Sequence, residues 1–196
     1  GPFFACDAHQ LLKPSARNYG SISLEPGFCS LSMLATRDAS GTMRLRISND
    51  RQYYVRDGYE QMWDIAEGRF LDESDGWNRF SIWGMGIASR DITGDGRDEV
   101  VLTSMGDQLL QIAASDGTYS IAPFSKGTYA HRPYVGDDGR PSTGWHAQFG
   151  DVDNDGRPDL FISKGNVDQM PSNAIKDPNN LLMQGPDGTF VEAGLA

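Results

Sequence analysis

Nine residues, Asp151-Val152-Asp153-Asn154-Asp155-Gly156-Arg157-Pro158-Asp159, place carboxylates at their first, third, fifth and ninth positions. Gly156, sixth in the run, permits a sharp turn. Arg157, seventh, can offer its backbone carbonyl. Five oxygen donors wrapped in this order suit a hard cation that accepts six to eight oxygens at loose geometry, which is Ca²⁺. Mg²⁺ suits it poorly, because it holds to strict octahedral geometry and keeps its waters. A second run, Asp91-Ile92-Thr93-Gly94-Asp95-Gly96-Arg97-Asp98-Glu99, repeats the spacing. Its donors are Asp91, Thr93, Asp95, the Arg97 carbonyl and Glu99. Thr93 is neutral, so this site is expected to bind more weakly. Two Ca²⁺ sites are therefore expected. A third copy, Asp38-Ala39-Ser40-Gly41, is shorter and has lost its other acids. It is expected to hold no metal and to serve as a turn. None of these is an EF-hand: the twelfth position is Ile162 or Leu102 where that motif needs Glu. The alternative for acidic Gly-rich runs is a solvated hairpin turn. Two runs with Gly at the same place argue against it.

Little else converges on chemistry. The histidines are His9, His131 and His146. His131 and His146 flank a Gly-rich insertion at 126–143, but two histidines without a third ligand are too few for zinc. There is no Gly-x-Ser-x-Gly elbow, phosphate loop or dinucleotide fingerprint. Asp137-Asp138 lies in turn-like sequence and reads as solvated. Trp63, Trp77, Trp83 and Trp145 suit either a sugar platform or packing between repeats, with packing expected. No catalytic residue is assigned, and the protein is expected not to be an enzyme.

The elements that must position the loops repeat with them. Leu34-Ala35-Thr36-Arg37 precedes Asp38, Ile87-Ala88-Ser89-Arg90 precedes Asp91, and Gln148-Phe149-Gly150 precedes Asp151. After the loops come Met43-Arg44-Leu45-Arg46-Ile47, Val100-Val101-Leu102 and Leu160-Phe161-Ile162. Further on, Met62-Trp63-Asp64-Ile65 precedes Glu67-Gly68-Arg69-Phe70, and Leu109-Leu110-Gln111-Ile112 precedes Asp116-Gly117-Thr118-Tyr119. Leu181-Leu182-Met183-Gln184 likewise precedes Asp187-Gly188-Thr189-Phe190. Each pair reads as strand, Gly turn, strand. A unit therefore runs small-residue strand, acidic loop, apolar strand, variable loop, strand, turn, strand. Four short strands per repeat predict an all-β fold of propeller blades. A sandwich would not explain the repeat, and solenoid rungs are usually shorter. The expected division is an N-terminal segment at 1–30, a degenerate blade at 31–75, and calcium-loop blades at 76–130 and 131–196. His9-Gln10-Leu11-Leu12 reads as one strand of a further blade. The polar excursions at 126–143 and 165–178 are candidate contact loops.

The chain has 196 residues and a formal net charge of −10. Such an acidic balance disfavours nucleic acid and anionic membrane surfaces. Part of that charge would be local and compensated if both loops hold Ca²⁺. The two cysteines, Cys6 and Cys29, fit one disulfide made in an oxidising compartment. No apolar run is long enough to span a bilayer, so no direct membrane insertion is expected. Gly1-Pro2-Phe3-Phe4 lacks the charged head and apolar length of a signal peptide.

The run from Trp83 through Ile87-Ala88-Ser89-Arg90-Asp91-Ile92-Thr93-Gly94-Asp95-Gly96 resembles the FG-GAP/VCBS repeat family of calcium-binding blades. Asn180-Leu181-Leu182-Met183, Asp187-Gly188-Thr189-Phe190 and Ala193-Gly194-Leu195 look closer to the branch of cartilage acidic protein and ASPIC/UnbV-domain proteins. The resemblance covers about residues 30–196 and is degenerate in the first repeat. It implies a seven-bladed propeller, calcium in the blade loops, and an extracellular or periplasmic setting. It carries over the metal ligands of each intact loop and no catalytic residue. Three units cannot close a ring, which usually needs 4–8 blades. A partial propeller, completed by other segments or a larger assembly, is thus expected. Partners are expected to be further blades or a protein, with a glycan as the alternative. The functions that fit are a calcium-stabilised interaction or structural module, a carbohydrate-binding module, and a non-catalytic part of a polysaccharide lyase or hydrolase.

Overall fold

The computed structural model describes residues 6–50, 58–129, 142–166 and 178–194. These residues form β-strands, two 3₁₀ turns and no α-helix. An antiparallel hairpin, β1 (His9–Pro14) and β2 (Tyr19–Leu24), comes first. Blade 1 then runs β3 (Ser30–Arg37), β4 (Met43–Asn49), β5 (Gln61–Asp64) and β6 (Arg69–Phe70). Blade 2 comprises β7 (Gly84–Arg90), β8 (Glu99–Ser104), β9 (Gln108–Ala113) and β10 (Tyr119–Ile121). Blade 3 comprises β11 (Gly144–Gly150), β12 (Asp159–Lys164), β13 (Asn180–Gln184) and β14 (Phe190–Glu192). Every blade is a four-stranded sheet in simple sequential order, antiparallel throughout. The first strands, β3, β7 and β11, lie side by side at the inner edge. The chain is thus all-β and forms part of a propeller, and the described residues do not close a ring.

Small residues on the inner strand explain that approach. A Cβ placed on Gly86 of β7 would sit 3.0 Å from the His146 Cα of β11. Each blade then buries both faces where a neighbour exists. In β8 all six residues, Glu99 through Ser104, are buried. Val101 and Leu110 pack towards blade 3, against Leu160, Ile162, Leu182 and Phe190. Val100 and Leu102 pack towards blade 1, with Met62 and Trp77. Leu24, Ile47 and Trp63 form a third cluster, joining the hairpin to blade 1. Each of these apolar side chains contributes roughly 1.5–3 kcal/mol by leaving water. Trp63 and Trp77 are therefore packing residues. Trp145 is 42% exposed and donates its indole N–H to the Gly165 carbonyl.

The first repeat departs from the alignment of the leading acids. Setting Asp38 on Asp91 sets Leu34 on Ile87. Rotation from blade to blade would place these two residues at successive joints, yet both lie between blades 1 and 2. Ala147, the third in the series, lies at the next joint, where rotation puts it. Only β3 is shifted, by one residue against its leading acid, and an odd offset in a period-2 strand exchanges faces: Leu34, paired with Arg46, holds the place of Ala88, paired with Val101. Arg46 thus stands in blade 1 where Val101 stands in blade 2, facing the next joint, where it is fully buried and donates to the Gln111 amide oxygen. Its guanidinium lies over Trp77 and Tyr119, at 4.9 and 5.2 Å from the ring centroids.

Cys6 and Cys29 are joined by a disulfide, with Cα atoms 5.0 Å apart. It ties the segment before β1 to the start of β3. The expectations for His131, Asp137-Asp138 and most of the two polar excursions lie outside the described residues.

Candidate metal centre

Both intact loops join the inner strand of a blade to its second strand. Blade 2 closes the loop at Arg90 opposite Glu99, and blade 3 at Gly150 opposite Asp159. Gly96 and Gly156 have φ of +83° and +87°, the left-handed region that a side chain rarely adopts. Asn154 shares that region at φ 60°, and Asn is the non-glycine residue that tolerates it best.

In blade 3 the loop wraps around Asp151. One oxygen of its carboxylate accepts the Asp155 N–H at 3.0 Å, and the other the Gly156 N–H at 3.0 Å. Asp159 is buried at 1% exposure and accepts from the Val152 and Gln184 N–H groups, both at 2.9 Å. Asp151, Asp153 and Asp159 each bring one oxygen to within 4.8 Å of the others. Three carboxylates so close repel one another unless a cation lies between them. This donor set fits a hard divalent ion, and those three residues would hold it. Asp155 is not part of the cluster. Its carboxylate accepts the Arg157 N–H at 2.9 Å and forms an ion pair with the Arg157 guanidinium.

Blade 2 builds the same cradle with fewer charges. Asp91 accepts the N–H groups of Gly94, Asp95 and Gly96 at 2.7, 3.2 and 2.8 Å. Burial works against its ionised form, but those N–H donors win and hold its pKa below the usual value. Asp95 is paired with Arg97, as Asp155 is with Arg157. Glu99 is fully buried, and burial first, then the charges of Asp95 and Asp91, push its pKa up. One oxygen accepts the Ile92 N–H at 3.0 Å. The other is buried with no hydrogen-bond partner, an orphan that a cation would satisfy. Among the described residues no three acids converge here as they do in blade 3.

Blade 1 resolves the same position without a metal ligand set. Asp38, 7% exposed, accepts from the Ser40 N–H at 2.9 Å, the Ser40 hydroxyl at 2.6 Å and the Thr42 N–H at 2.9 Å. Its other oxygen accepts Arg44 Nε at 2.9 Å. Arg44 also pairs with Asp64 of β5. Burial opposes the Asp38 charge, but Ser40, Arg44 and Thr42 outweigh it and its pKa lies below the usual value. A guanidinium thus stands where the other loops offer room for a cation. The turn expected from the sequence is also a buried ion-pair centre. Arg44 carried no signal in the sequence beyond lying in a strand, because its partner Asp64 is on the next strand over.

No curated protein matches the chain. One family match fits the geometry: residues 91–162, from the first acid of the blade 2 loop to the strand that follows the blade 3 loop, match the model of an FG-GAP-like repeat.

Proposed function

We propose that the chain is a calcium-fastened propeller module for protein interaction or structural assembly, working outside the cell and without catalysis of its own. The observation that carries the reading is the convergence of Asp151, Asp153 and Asp159 within 4.8 Å. Ca²⁺ would bind those oxygens and complete its shell with the Arg157 carbonyl and water. Its role would be to pin the loop between the first two strands of the blade. The blade 2 loop would be a second, weaker fastener, with Asp91, Thr93, Glu99 and the Arg97 carbonyl as the candidate donors, while Asp95, like Asp155, is engaged by its arginine. The FG-GAP-like match and the disulfide support an extracellular or periplasmic setting. Among the described residues no helix is long and apolar enough to cross a membrane.

The interaction role rests on a sheet face that is covered in blade 2 and exposed in blade 3. Phe161 lies directly opposite Leu181, and Met183 opposite Val191, on the far side of blade 3. Phe161 is 41% and Val191 64% exposed. Val101, which holds the register position of Phe161 in blade 2, is fully buried under blade 3. Further blades or a protein partner would bury the same face.

Calorimetric titration of the chelator-treated protein tests the metal reading. Ca²⁺ is expected to bind with heat and to raise thermal stability, by about 2.7 kcal/mol at a hundred times the dissociation constant. Asp151→Ala combined with Asp153→Ala should abolish the tighter event. Thr93→Asp should tighten the weaker one. Absence of heat and of any stability gain in the parent protein would sink the calcium reading.

A further inference from the structure

Where neighbouring blades diverge on the face that carries the acidic loops, each joint leaves a groove. The groove between blades 1 and 2 measures about 240 Å³, and its cations are occupied. Arg44 is held by Asp38 and Asp64, and Arg69 by Glu67 and Asp75. The groove between blades 2 and 3 is larger, about 540 Å³, and differs in its charges. Arg90 and Lys126 line it, and neither side chain makes a hydrogen bond or ion pair among the described residues. In a chain of net charge −10, two cations outside any ion pair at one joint are a local reversal of sign, although the Lys126 charge is near enough to help lower the pKa of Asp187.

The acids in this groove are already engaged. Asp91 accepts three loop N–H groups. Asp187 accepts the Thr189 N–H at 3.0 Å and the Thr189 hydroxyl at 2.7 Å. A further group is left wanting. Gln184 lines the groove and is 4% exposed. Its amide nitrogen donates across the joint to the Ile92 carbonyl at 2.9 Å, which fixes the orientation of the amide. Its amide oxygen is buried with no partner, a deficit of about 1–3 kcal/mol that a hydroxyl donor would relieve.

We propose that this groove binds an acidic saccharide. Arg90 and Lys126 take the carboxylate, and the Gln184 amide oxygen accepts from a ring hydroxyl. A volume of this size falls in the usual range for small-molecule sites, roughly 300–1,000 Å³. Apart from Ile92, which is itself buried, its walls are glycine, proline and polar or charged side chains, which offer hydrogen bonds to hydroxyls and little to anchor a peptide side chain. The proposal does not depend on either loop holding calcium.

Isothermal titration of the full chain with a hyaluronan tetrasaccharide, rich in glucuronate carboxylates, tests it. The controls are a neutral chitin tetrasaccharide and a short peptide with a free C-terminal carboxylate. The acidic sugar is expected to bind at least about tenfold more tightly than either, and more weakly as salt is raised. Arg90→Ala and Lys126→Ala should each cost roughly tenfold, while Lys13→Ala on the distant hairpin should leave affinity unchanged. Both substituted side chains reach into solvent-open space, so circular dichroism should show an unaltered fold. No binding of the acidic sugar, equal binding of the neutral one, a preference for the peptide, or indifference to Arg90→Ala and Lys126→Ala would each overturn the proposal. Repeating the titration in calcium and in chelator separates the two readings, because loss of calcium uptake alone leaves this result standing.

Discussion

Replacing Arg44 with Leu tests whether an arginine does in blade 1 what a cation is proposed to do in blades 2 and 3. The side chain is 15% exposed, and its partners Asp38 and Asp64 are 10% and 7% exposed. At 2.9 Å from Asp38, a unit pair at an effective dielectric of ~20 attracts by about 6 kcal/mol before desolvation is charged against it. Removing only the cation leaves two largely buried carboxylates, a change that typically costs about 3–5 kcal/mol. Each acid keeps backbone donors: Ser40 and Thr42 for Asp38, Ala66 and Glu67 for Asp64. The lower end, about 3 kcal/mol, is therefore expected. Urea unfolding at neutral pH, in chelator and again in calcium, measures it, and the loss should be equal in both buffers. The pH dependence has a definite sign. The Asp38 pKa is depressed in the folded state, so its contribution is present above the unfolded value of 3.8 and is lost as pH falls through the lower folded value. Parent and Arg44→Leu should thus converge in acid. A loss below about 1 kcal/mol, the range of exposed pairs, or a gap that widens in acid, would refute the argument.

Two further outcomes follow from buried charge and open surface. Glu60 is fully buried and burial pushes its pKa up to about 7, against an unperturbed 4.5. The folded state therefore holds the proton more tightly, and stability falls as pH rises from about 4.5 to 7, by on the order of 3 kcal/mol. Glu60→Gln should remove that slope, and an unchanged slope in thermal melts across this window would show that Glu60 is not its source. Phe161→Glu should weaken any concentration-dependent association seen by light scattering, since it places a charge on the uncovered face of blade 3. A parent protein that stays a dispersed monomer at its highest soluble concentration would contradict an interaction role for that face.

Much of the architecture was legible because it is local and repeated. The inner strands announced themselves by small residues before each acid, and Gly86 shows why: the neighbouring blade passes too close for a side chain. The hairpins at Asp116-Gly117 and Asp187-Gly188 formed from turn chemistry that acts within a few residues. His9-Gln10-Leu11-Leu12 falls in a strand, paired with β2 as a hairpin against blade 1. The one-residue shift of β3 against Asp38 was not legible. Both faces of a blade are apolar when both are covered, so the pattern of Leu34, Leu45 and Ile47 does not say which joint each residue serves.

The sequence by itself determined the loop chemistry. Spacing of Asp151, Asp153 and Asp159 around a glycine that must take positive φ is a property of nine consecutive residues, and it needs no distant partner. The tertiary structure decided how those acids are used. It set Asp159 under the Gln184 N–H of the next strand. It joined Asp38 and Asp64 through Arg44, and among the described residues it left Arg90 and Lys126 without an ion pair and the Gln184 oxygen without a hydrogen bond at one joint. The contacts of Asp159, Arg44 and Gln184 depend on which groups meet across strands and between blades, where separation along the chain carries no information about distance.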